Sequence, residues 1–150
     1  MFEIRLATKE DMDDILAMGV DMYNESPYAT VKPPNLTSFR SYAEELIDNH
    51  YFLLALKNGE VIGMAASYIA ALPMNADILL ASEVLFYVAP EARGSSAAMR
   101  LAMALEDAVK AGDEVDAYTF SAMSSSPPVV DKLFRRLGYK PVETAYIREA

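Results

Sequence analysis

Apolar positions along this 150-residue chain change spacing several times, and each change predicts an element. Met12, Ile15, Leu16, Gly19, Met22 and Tyr23 recur at the spacing of one helical face, as do Leu36, Phe39, Ala43, Leu46 and Ile47 in a second helix ending near Asn49. Before the first helix, "FEIRLA" reads as a strand, and Thr8 stands three residues ahead of Asp11 in a variant capping box. "YFLLALK", an Asn58-Gly59 turn, "EVIGMAASYIAAL", the turn "PMNAD" and "ILLASEVLFYVA" then predict an antiparallel meander.

Helical spacing returns from about Ser96 to Ala111, with Ala98, Leu101, Ala102, Leu105, Ala108 and Val109 inward and Gly112 as the stop. "EVDAYTFSA" predicts another strand. "SSSPPVVDKLFRRLGY" predicts a short helix with Ser126 as N-cap, Pro127 in the first turn, and Val130, Leu133, Phe134 and Leu137 on one face before Gly138. "ETAYIRE" predicts a last strand. With no repeat and no linker, the expectation is a single domain over residues 1–150: an α/β (α+β) fold with a mixed, mostly antiparallel central sheet and flanking helices.

Composition narrows the chemistry. A chain of this length buries roughly 68–70% of its unfolded surface, enough for a core without staples. There is no cysteine, so disulfides and thiolate ligands are excluded, and His50 is the only histidine, so no metal site is expected. The charged N-terminus lacks a signal-peptide core, and the longest charge-free run falls short of the roughly 20 apolar residues of a membrane span. The expectation is a cytoplasmic protein with no membrane partner. The net charge of −9 argues against nucleic acid. All of the excess lies early: residues 1–92 hold 5 Lys and Arg against 14 Asp and Glu, whereas residues 93–150 hold 8 of each. Either the acidic part faces a cationic ligand and the later part an anionic one, or the acid is a solvated surface.

The stretch "FYVAPEARGSSAAMRL", Phe86 to Leu101, carries the chemistry: a strand meets a proline, then an Arg-Gly-Ser-Ser turn opens a helix. Such a turn lets an anion approach unpaired backbone N–H groups at the positive end of a helix. It is neither a P-loop nor a dinucleotide fingerprint, because it lacks the Gly-Lys-Ser/Thr ending of the one and the spaced glycines of the other.

"VAPEARGSSAA" and "VVDKLFRRLGYKPVE", within this order of elements, resemble the GNAT superfamily of N-acetyltransferases over essentially the whole chain. The opening "IRLATKEDMDDILAMGVDMYNESP" is also similar to phage-type members. The resemblance implies the GNAT acyl-CoA fold, acetyl-CoA as co-substrate and an amine acceptor, a small molecule or a protein amine, acetylated by direct attack in a ternary complex. A homodimer is compatible with it. By motif position Arg93, Gly94, Ser96 and Ala98 would line the pyrophosphate, with Phe86, Tyr87, Val88, Ser95, Ala97, Ser125 and Phe134 completing the cofactor site. Ser96 replaces a usual glycine. Arg100, Lys132, Arg135 and Arg136 are further phosphate candidates.

An alkyl amine with pKa about 10.4 needs help to lose its proton at neutral pH. Glu83, on the strand before the motif, matches the family's general-base position; strict alternation would put it on one face with Leu85 and Tyr87. Phe134 stands where many members carry a tyrosine acid, which leaves Ser126 and Tyr139 as substitute candidates. The loop "MYNESPYATVKPPN" walls the acceptor site in such folds, so Tyr23, Glu25 and Tyr28 are the acceptor candidates. The alternative is a GNAT-fold protein of weak catalysis that binds CoA or another protein.

Overall fold

The computed structural model describes residues 2–150 and contains a five-stranded sheet in the order β1-β2-β3-β4-β5. The strands are β1 (Glu3–Leu6), β2 (Tyr51–Lys57), β3 (Glu60–Leu72), β4 (Asn75–Val88) and β5 (Ala117–Thr119). β1 to β4 pair antiparallel, and β5 joins β4 in parallel. The Asn58-Gly59 hairpin forms as its sequence demands, both residues at positive φ, 54° and 81°.

The helices are α1 (Met12–Asn24), α2 (Leu36–Asn49), α3 (Ala97–Gly112) and α4 (Val129–Arg136). α1 and α3 bury most of the stripes their sequences predict, whereas α2 fully buries only Ala43 and Leu46 of its stripe. Ile15, Leu16, Ala43 and Leu46 pack with Phe52, Leu54, Met64 and Leu85 on one face of the sheet. Ala97, Leu101 and Leu105 pack with Leu53, Ala55, Ala65 and Val88 on the other. α1 and α2 meet closely: a Cβ on Gly19 would lie 1.9 Å from the Phe39 ring, so only glycine lets that ring sit there. α1 is entered through a short turn, Lys9–Asp11, whose Asp11 carboxylate accepts from the Thr8 N–H at 2.8 Å and takes both ends of the Arg5 guanidinium at 2.8 and 2.9 Å. The Arg5 hydrogen bond, outweighing burial, holds the Asp11 carboxyl down at about 2.

Four expectations change. "ETAYIRE" forms no strand: residues 139–150 are irregular, and Val142 and Tyr146 are 78% and 92% exposed. A strand needs a partner and a face to bury, and the three-residue β5 gives the tail neither. Gly112 is the last helical residue, not a left-handed stop; a Cβ there would meet the Tyr51 hydroxyl at 2.1 Å, and Asp113 caps the helix in extended geometry. Ser126 does not cap α4, which starts later behind Pro128; its hydroxyl accepts from the Met123 N–H at 3.1 Å and closes the preceding turn. Finally, alternation breaks in β4. Ala66 pairs with Leu85 but Ser67 pairs with Glu83, so Val84 is the extra residue of a bulge and packs on the same side as Leu85 and Tyr87.

Candidate active site

β4 and β5 pair only from Leu80–Ala117 to Ser82–Thr119. Beyond that rung the strands part, and β4 runs on to Val88 with β3 on one side and no strand on the other. Glu83 marks the fork. Its carboxylate accepts from the Ser121 N–H at 3.2 Å, so a side chain replaces the next ladder bond. Burial pushes the Glu83 carboxyl up to about 7 against the opposing pull of that single hydrogen bond. This is the environment of a carboxylate able to take a proton near neutral pH.

A cavity of about 580 Å³ fills the fork. Phe86, Tyr87 and Val88 form its strand wall, the turn Arg93–Ser96 with Ala98 its floor, and Ser125, Ser126, Val130 and Leu133 its far side. Gly94 has φ +85°, the left-handed conformation that turns the chain into α3, where a side chain would be strained. The first ladder bond of α3 runs from the Arg100 N–H to the Ser96 carbonyl, so the amides of residues 97–99 precede it. That of Ala97 is taken by Ser95 Oγ at 3.2 Å. Lys132 and Arg136, one turn apart on α4, add cationic side chains to the lining. Amides at a helix start, a left-handed glycine and two cations suit a polyanionic group joined to an apolar arm, and the apolar strand wall suits that arm.

The candidates divide on this geometry. Phe86, Tyr87, Val88, Arg93, Gly94, Ser95, Ser96, Ala98, Ser125 and Ser126 line the cavity together. Ala97, the first residue of α3, is fully buried against the sheet, and Phe134 lies behind the wall in an aromatic cluster with Phe86 and Phe120. Tyr139 packs on that cluster at 5.1 Å from Phe120, and its hydroxyl donates to Glu106 at 3.2 Å, away from the cavity. Burial raises the Tyr139 phenol further from use as an acid. Arg100 binds the Phe2 carbonyl and Arg135 binds Asp131, leaving Lys132 and Arg136 as the lining cations of the four further phosphate candidates.

The loop after α1 is also redistributed. Tyr23 hydrogen-bonds the carbonyls of Tyr28 and Lys32 at 3.1 and 2.7 Å and so staples the loop. Tyr28 is 52% exposed outside the cavity. Glu25 lines the cavity, but its carboxylate is held by Arg93 at 2.9 Å and by the Tyr87 hydroxyl. Sequence reading put Val130 and Leu133 on one apolar face of the short helix; that face lines the cavity. Their apolar spacing carries no sign of whether a core or a cavity lies beside it.

Among the described residues no group of three or more His, Asp or Glu gathers to hold a metal, and no helix is long and apolar enough to cross a membrane.

A family model described as "Acetyltransferase (GNAT) domain" matches residues 3–142. No curated protein matches the sequence. Solved structures share the fold at low identity. A transcriptional regulator from Bacillus halodurans C-125 superimposes with a TM-score of 0.77 at 15% identity, over 100% of both chains. A predicted acetyltransferase from Clostridium acetobutylicum, solved with acetyl-CoA, gives 0.76 at 16% identity, over 99% of this chain and 96% of the other. AAC(6')-Iy in complex with a bisubstrate analogue, CoA-S-monomethyl-acetylneamine, gives 0.72 at 15%, over 100% of this chain and 98% of the other.

Proposed function

This chain belongs to the GNAT acetyltransferase family, and on that footing we propose that it transfers acetyl from acetyl-CoA to a primary amine by direct attack in a ternary complex. One observation carries the reading: the fork between β4 and β5 holds a cavity with a helix start at one end, and one of its lining residues, Ser121, donates its N–H to the Glu83 carboxyl, which burial pushes up to about 7.

In this reading the Gly94–Ala98 turn takes the pyrophosphate through backbone N–H groups, aided by Lys132 and Arg136. The acyl arm lies along Phe86–Val88 and ends by Glu83. The acceptor enters as an ammonium. Glu83, directly or through a water, takes its proton, the free amine attacks the thioester carbonyl carbon, a C–N bond forms and the C–S bond breaks. The thiolate departs more readily than an alkoxide, since thiol pKa values lie near 8.5, so no strong acid is required. Ser126, a lining hydroxyl that accepts from the Met123 N–H and keeps its own proton free, relays the second proton of the attacking nitrogen to the thiolate. It gives its own proton to sulfur as it receives that one, so that the neutral amide and thiol leave and the serine is unchanged.

Two measurements test this. Acetyl-CoA at about 100 times its dissociation constant should stabilise the fold by roughly 2.7 kcal/mol, a melting shift of several degrees at about 2–4 °C per kcal/mol. Thiol release over a panel of primary amines should exceed the hydrolytic background. A folded sample with no shift at millimolar acetyl-CoA would remove the reading; a shift without acceptor-dependent thiol release would leave a binding protein.

A further inference from the structure

One polar side chain buried in the sheet lies outside the lining of the cavity. Ser67 of β3 is 4% exposed, and among the described residues the only other buried polar side chain is Asp11, which Arg5 and Thr8 engage. Ala65 and Ala66, its neighbours on the strand, are fully buried, so alanine is what β3 otherwise carries at this depth. A hydroxyl there costs desolvation free energy unless something uses it. Ser67 pairs with Glu83 across β3 and β4, at the bulge beyond which Ala66 pairs with Leu85. The Ile69 N–H points to the β2 side, where His50 Nδ1 accepts it at 3.1 Å, so Ser67, two residues back, also turns its backbone groups to β2. Ser67 and Glu83 are therefore the closer, non-hydrogen-bonded kind of antiparallel pair, their side chains on one face of the sheet with Cβ atoms about 4.5–5.5 Å apart.

The two side chains are neighbours without a direct hydrogen bond. Glu83 gives one carboxylate oxygen to the Ser121 N–H at 3.2 Å; among the described residues nothing bonds its other oxygen or the Ser67 hydroxyl. Yet the hydroxyl is not sealed. Every fully sealed side-chain nitrogen or oxygen among the described residues has a partner, so an atom without one keeps accessible surface. The small exposed remainder of Ser67 thus includes Oγ, and a water can reach it. Two polar oxygens on one face, a few ångströms apart beside an accessible gap, are the setting of a bridging water. The groups around them carry no free charge. On β2, Tyr51 opposite Ser67 donates to Asp113 and is pushed up to about 12, first by burial. Asp116, just before β5, accepts the Leu79 N–H at 2.8 Å, and the Tyr42 phenol of α2, raised by burial, is neutral near pH 7.

We propose that Ser67 is a positioning residue for proton transfer: its hydroxyl and the second oxygen of Glu83 hold one water between them, and the acceptor's proton passes to Glu83 through that water. This rests on the transferase reading above and selects the water-mediated of its two routes. The ammonium gives a proton to the water oxygen as the water gives one of its own to the carboxylate. The amine is left neutral, Glu83 protonated and the water unchanged. Ser67 transfers nothing; it fixes where the water sits.

Ser67→Ala tests this through two readouts. The carboxyl carbon resonance of Glu83, assigned by its absence in Glu83→Gln, titrates at about 7 in the parent and should move to higher pH in Ser67→Ala, because the charged carboxylate loses a well-placed water. Turnover should fall about tenfold, with the rising limb of the pH–rate profile displaced the same way and the KM for acetyl-CoA unchanged. Ser67→Thr, which keeps the hydroxyl, should restore both. In a Glu83→Gln background Ser67→Ala should cost less than about twofold, since the serine acts through the carboxylate. An unmoved resonance, a Ser67→Ala variant as fast as the parent, or an equal loss in both backgrounds would overturn the proposal and leave the transferase reading intact. If the parent shows no acceptor-dependent thiol release, the transferase reading and the relay fall together. The resonance then decides the rest: a shift in Ser67→Ala would keep the shared water, and no shift would remove it too.

Discussion

Arg93 and Glu25, 68 positions apart in sequence, meet at the cavity, Nη2 lying 2.9 Å from one carboxylate oxygen and 3.2 Å from the other. The same guanidinium donates through Nε to the Val88 carbonyl at 2.9 Å, and Tyr87 donates to Glu25 from below the guanidinium. Burial alone would raise the Glu25 carboxyl, but these two partners hold it below its ordinary value. The pair therefore ties the loop after α1 to the turn before α3.

An incoming phosphate would compete with Glu25 for that guanidinium. Glu25→Gln removes a negative charge from the cavity and frees Nη2, so acetyl-CoA affinity should rise by a factor of about 2–5, while Arg93→Ala should lower it about tenfold. Titration calorimetry reads both. Weaker binding in Glu25→Gln would mean that the carboxylate's service is to aim the arginine.

Glu83 gives two separate readouts. In Glu83→Gln, turnover should fall by about 10²–10⁴-fold, with acetyl-CoA affinity nearly unchanged. The rising limb of the parent's pH–rate profile, centred near 7, should vanish. Stability should move the other way. The folded carboxyl titrates at about 7 against an ordinary 4.5, so the folded state binds the proton more tightly. Below about pH 4.5 both states are protonated and nothing is lost; as pH rises through 4.5 to 7 the parent loses stability that Glu83→Gln keeps, about 1–3 kcal/mol. Urea unfolding at pH 5 and pH 8 reads the gap. Equal stability at both would mean that the carboxylate is well solvated.

Asp11 has the opposite sign. Its carboxyl is held at about 2 against an ordinary 3.8, so its contribution is fully present above about pH 4 and fades as pH falls toward 2. Asp11→Asn should destabilise the fold by about 1–2 kcal/mol at pH 7, with the difference shrinking in acid. Denaturant midpoints from pH 7 down to pH 3 would show it, and a gap of constant size would assign the loss to shape instead of charge.

Gly19 inverts a common rule. Alanine in a helix interior is ordinarily favoured over glycine by about 1 kcal/mol. Here a Cβ would collide with Phe39, so Gly19→Ala should destabilise by about 1–3 kcal/mol. Trimming the ring in a Gly19→Ala, Phe39→Leu double variant should recover part of the loss. Simple additivity of the two changes would separate the glycine from the ring.

The sequence makes one-sided burial readable, which is why α1, the buried stripe of α3 and the meander follow its pattern. The Arg93–Ser96 turn is readable too, because a glycine ahead of a helix start is a local signal. What it hides is non-local. The face of Glu83 turns on a bulge that exists only when β3 meets β4. The fate of Tyr139 depends on Glu106, 33 positions away, and that of Arg93 on Glu25. The strand pattern of "ETAYIRE" is intact in the sequence, but no edge receives it. Leu36 shows the same limit: it keeps the helical spacing of α2 yet is 47% exposed, because it begins the helix beyond the reach of the sheet.

The hydroxyl of Tyr23, shared between the carbonyls of Tyr28 and Lys32, divides the connection between α1 and α2 into two short arcs. With Arg93 holding Glu25 at the start of this connection, little conformational entropy is left there to lose when a ligand arrives. A connection already ordered need not be ordered by its guest, so more of the guest's binding free energy remains as affinity.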